Sequence, residues 1–118
     1  MSPTTLIIAR HGNTFEAEQV PMRVGARTDL PLVSSGEEQA LRLGIALKNS
    51  GLVPSYVFTS TLQRTTTTAR LACVAMVCDV IHEPCAVFNE IDYGPDENKP
   101  DSDVISRIGA ESLKAWDR

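Results

Sequence analysis

Thr5-Leu6-Ile7-Ile8-Ala9 is an apolar run with almost no alternation, the pattern of a strand covered on both faces. From residue 12 to 33 the periodicity disappears. Pro21, Gly25 and Pro31 punctuate this stretch and Arg23, Arg27 and Asp29 charge it, so it reads as a long loop, of a length more often functional than idle in a compact domain. Ser34-Ser35-Gly36-Glu37 then predicts a helix start, with Ser34 as the N-cap and Glu37 in capping-box register. Ala40, Leu43, Gly44 and Leu47 fall on one stripe of that helix, and Asn49-Ser50-Gly51 supplies its stop.

After Pro54, Tyr56-Val57-Phe58-Thr59 is a short β-prone run, and Ser60 is placed to cap a second helix whose inner stripe is Ala69, Ala72, Cys73 and Met76. Thr65 to Thr68 weaken that helix locally, because β-branched residues lose side-chain freedom there; tertiary contacts must hold its first turns. Asp79-Val80-Ile81-His82 reads as a third strand, Glu83 to Tyr93 as a connection, and Asp101 to Trp116 as a last helix with Val104, Ile105, Ile108 and Leu113 apolar. Strands alternating with helices of this length imply right-handed crossovers. The expected fold is therefore α/β, one domain over residues 1–118, with a three-layer, mostly parallel sheet flanked by helices. Ligands bind such sheets at the carboxyl ends of the strands, which here are residues 10 to 14 and 59 to 64.

Composition narrows the partners. A net charge of −4 and the lack of a Lys/Arg run argue against a nucleic-acid surface, so any anion site must be local. No apolar run approaches the roughly 20 residues that span a bilayer, and Met1 to Thr5 lack the features of a signal peptide, which points away from membranes and to the cytoplasm. Cys73, Cys78 and Cys85 are odd in number and without C-x-x-C spacing, so they read as reduced packing residues.

The first strand runs directly into Arg10-His11-Gly12. A histidine at a strand end is held by the most rigid part of a fold while its ring meets substrate, as a nucleophile requires. Arg10 offers a planar fork of donors matched to phosphate oxygens, and Gly12 removes a side chain that would keep a ligand from the backbone. On this tripeptide alone, a solvated arginine and a surface histidine explain the sequence equally simply.

Four stretches in order change that balance: "RHGNT" at 10 to 14, "RTDLPLVSSGEEQA" at 27 to 40, "FTSTLQRTTTTA" at 58 to 69 and "FNEIDYG" at 88 to 94. Together they resemble the histidine phosphatase superfamily, the phosphoglycerate-mutase-like proteins, over nearly the whole chain. The wording looks most like bacterial phosphatases rather than the glycolytic mutases. The resemblance implies a phosphoglycerate-mutase-like fold and a phosphomonoester hydrolase in which His11 is transiently phosphorylated, Arg10 and Arg64 hold the phosphoryl oxygens, and Glu90 is general acid and base. Phosphoryl transfer needs those parts: positive donors, an in-line nucleophile and a proton for the leaving alkoxide. Arg64 also falls in the first turn of a helix, where free N–H groups favour an anion. Glu90 should be partly buried, which would raise its pKa toward neutrality.

Asn13 and Thr14 match the loop positions after the histidine and would line the pocket. Arg23 and Arg27 are candidates for holding the substrate beyond its phosphate, or for structural pairing with Asp29 or Glu16. No cofactor or metal is called for; the expected ligand is a small phosphorylated substrate or inorganic phosphate. The family's second catalytic His-Gly has no counterpart, since His82, the only other histidine, lies outside any such motif and reads as a strand-end residue. The chain also ends within an amphipathic pattern without a stop signal, and so reads as the first part of a longer protein, with the sheet incomplete at its C-terminal end. An incomplete sheet should expose apolar surface, and a homodimer covering it is the expected remedy. A mutase is a variant of the same mechanism that requires the alcohol product to stay bound, and with one pocket wall missing an impaired phosphate-binding module is the other alternative to a phosphatase.

Overall fold

The computed structural model describes residues 3–109, 112, 114 and 115. Two helices, α1 (Ser34–Asn49) and α2 (Gln63–Met76), form its centre. Gly44 lets them approach closely, because a Cβ at that position would press on the Ala72 carbonyl oxygen and lie 2.8 Å from the Ala75 Cβ. Ala72, Cys73 and Met76 of α2 are buried there, with Leu43 and Leu47 of α1 packed against them. The stripe legible in the sequence is thus the one that packs. Burying a side chain the size of Met76 contributes about 1.5–3 kcal/mol.

The helix ends differ from the expected ones. Val33, not Ser34, caps α1, with an extended backbone and no side-chain cap; its carbonyl accepts the Glu37 N–H at 3.0 Å, so the capping box does not form. Leu62 caps α2, again without its side chain. Ser60 sits in the turn before it, where its hydroxyl accepts the Leu62 N–H at 3.2 Å. The first N–H of α2, from Gln63, goes to the carboxylate of Asp29, 2.7 Å away and 34 residues earlier in sequence. That tertiary cap holds the threonine-rich start of α2. Thr65, Thr66 and Thr68 add hydroxyl bonds to the carbonyls of Leu62, Gln63 and Arg64.

At its other end α2 closes with Val77 in the left-handed region (φ 53°), the Val77 N–H on Val74 O and the Cys78 N–H on Cys73 O at 2.9 Å. This paired closure is the Schellman arrangement. It turns Cys78 and Val80 back onto the helix core. All three cysteines are free.

The described residues contain one parallel sheet of two strands, β1 (Val57–Thr59) and β2 (His82–Pro84), with Val57 opposite His82. The third strand expected at 79–82 therefore starts later, because residues 78 and 80 are used in packing against α2. The Val57 N–H on Ile81 O and the Cys85 N–H on Thr59 O extend the ladder at either end. The expected strand at 5–9 does not form. Leu6 and Ile8 are 79% and 87% exposed, and residues 3–10 have no ladder partner among the described residues. An apolar run marks a segment for burial, but a strand needs a neighbour to bond with. A three-layer sheet is accordingly not formed by the described residues.

Residues 12–33 form the expected loop, tied to the later chain by a bridge between Met22 and Pro100. The last helix, α3 (Asp101–Ile108), is interrupted within the expected span because Gly109 turns to positive φ (87°) and donates its N–H to Ile105 O at 2.7 Å; residues 112, 114 and 115 are helical again. Val104 is fully buried, Ile108 half-buried and Ile105 exposed; Leu113 and Trp116 lie outside the described residues.

Candidate active site

Residues 11–13 are clamped between the two helices. Gly12 lies so close to Gly36, near the start of α1, that a Cβ on either would strike the other's segment: Gly36 backbone on one side, Asn13 backbone on the other. The expectation that Gly12 clears space for a ligand is thereby corrected, since it clears space for α1. Asn13 reinforces the clamp, with its N–H on Gln39 Oε1 at 2.8 Å and its carbonyl accepting the Val33 N–H at 3.0 Å. From α2, the Thr68 hydroxyl accepts the Gly12 N–H at 3.0 Å and donates to Arg64 O at 2.7 Å.

This clamp holds His11 half-buried, with Nδ1 2.7 Å from the Gly12 carbonyl oxygen. A carbonyl can only accept, so Nδ1 carries the proton and Nε2 keeps its lone pair. Burial holds the His11 pKa below its usual 6.5; the bond to Gly12 opposes this, the charges of Arg64 and Arg10 lower it further, and Glu90 raises it. Burial therefore favours the neutral ring, the form a nucleophile needs.

Arg64, the second residue of α2, is 2% exposed. Nη1 donates to Thr28 O at 2.6 Å, and Nη2 to Val24 O and Gly25 O, each at 3.4 Å. Burial lowers its pKa, opposed by the charges of Glu90, Asp29 and Glu97 and by Tyr93. With Asp29 taking the Gln63 N–H, an anion beside Arg64 would rely on the guanidinium more than on the helix end.

His11, Arg64 and Glu90 line one cavity of about 200 Å³, together with Ser60, Thr65, Phe88 and Asn89. Glu90 is exposed rather than partly buried, and its Oε1 accepts the Ile91 N–H at 2.9 Å. Asn89 is fixed by accepting from the N–H and hydroxyl of Thr61, at 2.8 and 3.0 Å. The hydroxyls of Ser60 and Thr65 stand 2.5 Å apart. Sequence reasoning missed these three, although Ser60 and Thr65 flank Arg64 inside one of the quoted stretches and Asn89 precedes Glu90. Polar residues beside a candidate charge were the available signal.

The remaining expected residues do not line this cavity. Arg10 is exposed and acts on His11 through its charge, Asn13 is engaged with α1, and Thr14 is half-buried. Arg23 pairs with Asp101 at 2.8 Å and stacks over the Tyr93 ring; Arg27 pairs with Asp92 at 2.9 Å and donates to Gly94 O at 2.8 Å. Neither meets Asp29 or Glu16, the partners considered from sequence. A larger depression of about 490 Å³ includes His82 and Arg70, but Cys73, Val74, Cys78, Val80 and Pro84 make much of its wall apolar. It lacks the convergence that an anion needs.

The sequence pattern of the histidine phosphatase superfamily (branch 1) matches residues 6–118. The chain belongs to this superfamily. A protein of Bifidobacterium longum named 2,3-bisphosphoglycerate-dependent phosphoglycerate mutase is 32% identical over 116 residues, covering 96% of this chain and 46% of the relative. The similarly named protein of Streptomyces avermitilis is 33% identical over 120 residues, with 99% and 46% covered. Among solved structures, the alpha-ribazole phosphatase of Shigella flexneri superposes with a TM-score of 0.62 at 28% identity, covering 80% of this chain and 44% of that one. The mycobacterial glucosyl-3-phosphoglycerate phosphatase has a TM-score of 0.71 at 21% identity, over 90% and 47%, which supports the α/β fold. This chain spans less than half the length of the curated relatives it matches. No helix among its described residues is long and apolar enough to cross a membrane.

Proposed function

We propose that this histidine phosphatase chain belongs to a phosphomonoester hydrolase working through a phosphohistidine on His11. The observation that carries this is a half-buried imidazole, its Nδ1 held by the Gly12 carbonyl, sharing one small cavity with a buried guanidinium. In the proposed reaction Nε2 attacks phosphorus as the bond to the ester oxygen breaks, and Glu90 gives that oxygen a proton. Water then attacks phosphorus, Glu90 takes the proton, and the P–N bond breaks to leave inorganic phosphate and neutral His11. Arg64 holds the equatorial oxygens, with Arg10 contributing its charge from outside the cavity. Asn13, Thr14, Arg23 and Arg27 would act, if the substrate extends that far, on its part beyond the phosphate.

Hydrolysis of a chromogenic aryl phosphate with EDTA present tests the mechanism. Activity should be lost in His11→Ala and fall about 100- to 1000-fold in Arg64→Ala, the usual loss for a transition-state donor. Equal low activity in wild type and His11→Ala would instead favour a non-catalytic phosphate-binding module. A mutase is the second reading, favoured by the names of the relatives at 32–33% identity. It requires the alcohol product to stay bound and be rephosphorylated, so isomerisation of a phosphoglycerate without release of phosphate would identify it.

The same proposal puts the protein in the cytoplasm, where its free thiols would stay reduced. It also includes a three-layer sheet in the whole protein and a homodimer of this chain. Exposed Leu6 and Ile8, and a radius of gyration of 16.5 Å, support a further covering layer, since a compact domain of this length has roughly 13.5 Å. Light scattering that gave a compact monomer at micromolar concentration would contradict the dimer.

A further inference from the structure

Arg64 is aimed by a loop, and one carboxylate holds that loop at two points. Its guanidinium donates to the carbonyls of Val24, Gly25 and Thr28, so the path of residues 24–28 decides where the remaining donors point. That stretch is neither helix nor strand, and its own structure is one turn closed by the Thr28 N–H on Gly25 O at 3.2 Å. Its anchor at Gly25 and Thr28, two of the three residues whose carbonyls meet Arg64, is Glu97, on the turn before α3. Oε1 of Glu97 accepts the Gly25 N–H at 3.3 Å and the Thr28 hydroxyl, while Oε2 accepts the Tyr93 N–H at 2.9 Å. The Ala26 N–H on Ile91 O at 2.9 Å, and Arg27 on Asp92 and Gly94 O at the exposed side, attach the loop to the same stretch of chain. Gly25 is buried tightly enough that a Cβ there would strike the Glu97 carboxylate and the Ile91 carbonyl.

We propose that Glu97 is a positioning residue for Arg64, fixing the 24–28 loop whose carbonyls set the guanidinium beside His11. This rests on reading the His11 cavity as a phosphate site, and it adds a residue that touches neither the cavity nor the ligand. A carboxylate suits the task because it only accepts, and three donors converge on it. A glutamine has the same shape, yet whichever way its amide turns, one NH2 faces a backbone N–H. The charge of Glu97 also favours the cationic form of Arg64 against the burial that opposes it.

Binding of inorganic phosphate, followed by calorimetry, gives a double-mutant cycle over wild type, Glu97→Gln, Arg64→Lys and the double variant. Arg64→Lys keeps the charge and loses the planar fork. Each single change should weaken binding about tenfold or more, the loss of one charge-assisted hydrogen bond. If Glu97 acts through Arg64, the double variant binds within about twofold of Arg64→Lys. A carboxylate that only staples two loops would give losses that multiply, and that result overturns the inference. So does wild-type affinity in Glu97→Gln when Arg64→Lys is weakened. No phosphate binding by wild type, or no loss in Arg64→Lys, would refute the phosphate site itself and the inference with it. Should Glu97→Gln not fold, Thr28→Val serves in the same cycle. It removes the hydroxyl that donates to Glu97 and keeps the backbone carbonyl that accepts from Arg64, and it should show the same coupling.

Discussion

Replacing Thr68 by valine keeps the volume of the side chain and removes one hydroxyl. That hydroxyl accepts the Gly12 N–H at 3.0 Å and donates to Arg64 O at 2.7 Å, with Gly12 and Thr68 both buried. Arg64 O lies within α2, where the helix ladder serves it, so its loss is small. The Gly12 N–H is left buried without an acceptor, which costs about 1–3 kcal/mol. Against a domain stability of roughly 5–15 kcal/mol this is a large fraction. With a urea dependence of about 1–3 kcal/mol per molar, the unfolding midpoint should fall by roughly 1 M. The effect should also reach the site. Freeing Gly12 loosens the clamp on His11, and because burial is the main cause of its depressed pKa, that pKa should rise toward 6.5. Urea titration and an NMR titration of the His11 ring read the two consequences separately, and Thr68→Ser should restore both. A Thr68→Val protein with the wild-type midpoint and an unchanged ring titration would refute the idea that this bond positions His11.

Gly44→Ala should destabilise by about 1–3 kcal/mol, because the new methyl meets the Ala72 carbonyl; this overrides the roughly 1 kcal/mol that alanine normally gains over glycine inside a helix, and a raised melting temperature would contradict it. Asp29→Ala should cost about 1 kcal/mol in urea unfolding through loss of the cap on the Gln63 N–H, and an unchanged midpoint would count against a tertiary cap. His11 also gives stability a pH dependence: with its folded pKa below 6.5, the contribution of the neutral ring is complete above that value and is lost as pH falls through the depressed one. His11→Asn should flatten this part of the stability profile, and an identical acid limb in the variant would contradict the assignment.

Local patterns in the sequence carried the helices well. The stripes of α1 and α2 are the surfaces that pack, and the stop at residues 49–51 ends α1 as expected. Membership of the superfamily was legible because four motifs occur in order. His11, Arg64 and Glu90 do line one cavity. What could not be read was set by pairing through space. Arg23 meets Asp101 and Arg27 meets Asp92, across 78 and 65 residues, where sequence offered nearer acids. Asp29 caps a helix 34 residues away, and Glu97 reaches back to Gly25 and Thr28. The run at 5–9 carries the apolar signal of a buried strand, but its ladder partner is not encoded in its own letters. Gly109 shows the opposite case, a local stop signal inside a pattern whose apolar spacing continues past it.

The most direct test of a phosphoryl-accepting His11 is to mix the protein with an aryl phosphate, quench in base, and locate any phosphoryl group by peptide mass spectrometry. The proposed mechanism predicts one acid-labile phosphoryl group on the peptide containing His11, absent from His11→Ala. A wild-type protein that releases phosphate at the same rate while carrying no such group, or carrying it on another residue, would contradict it.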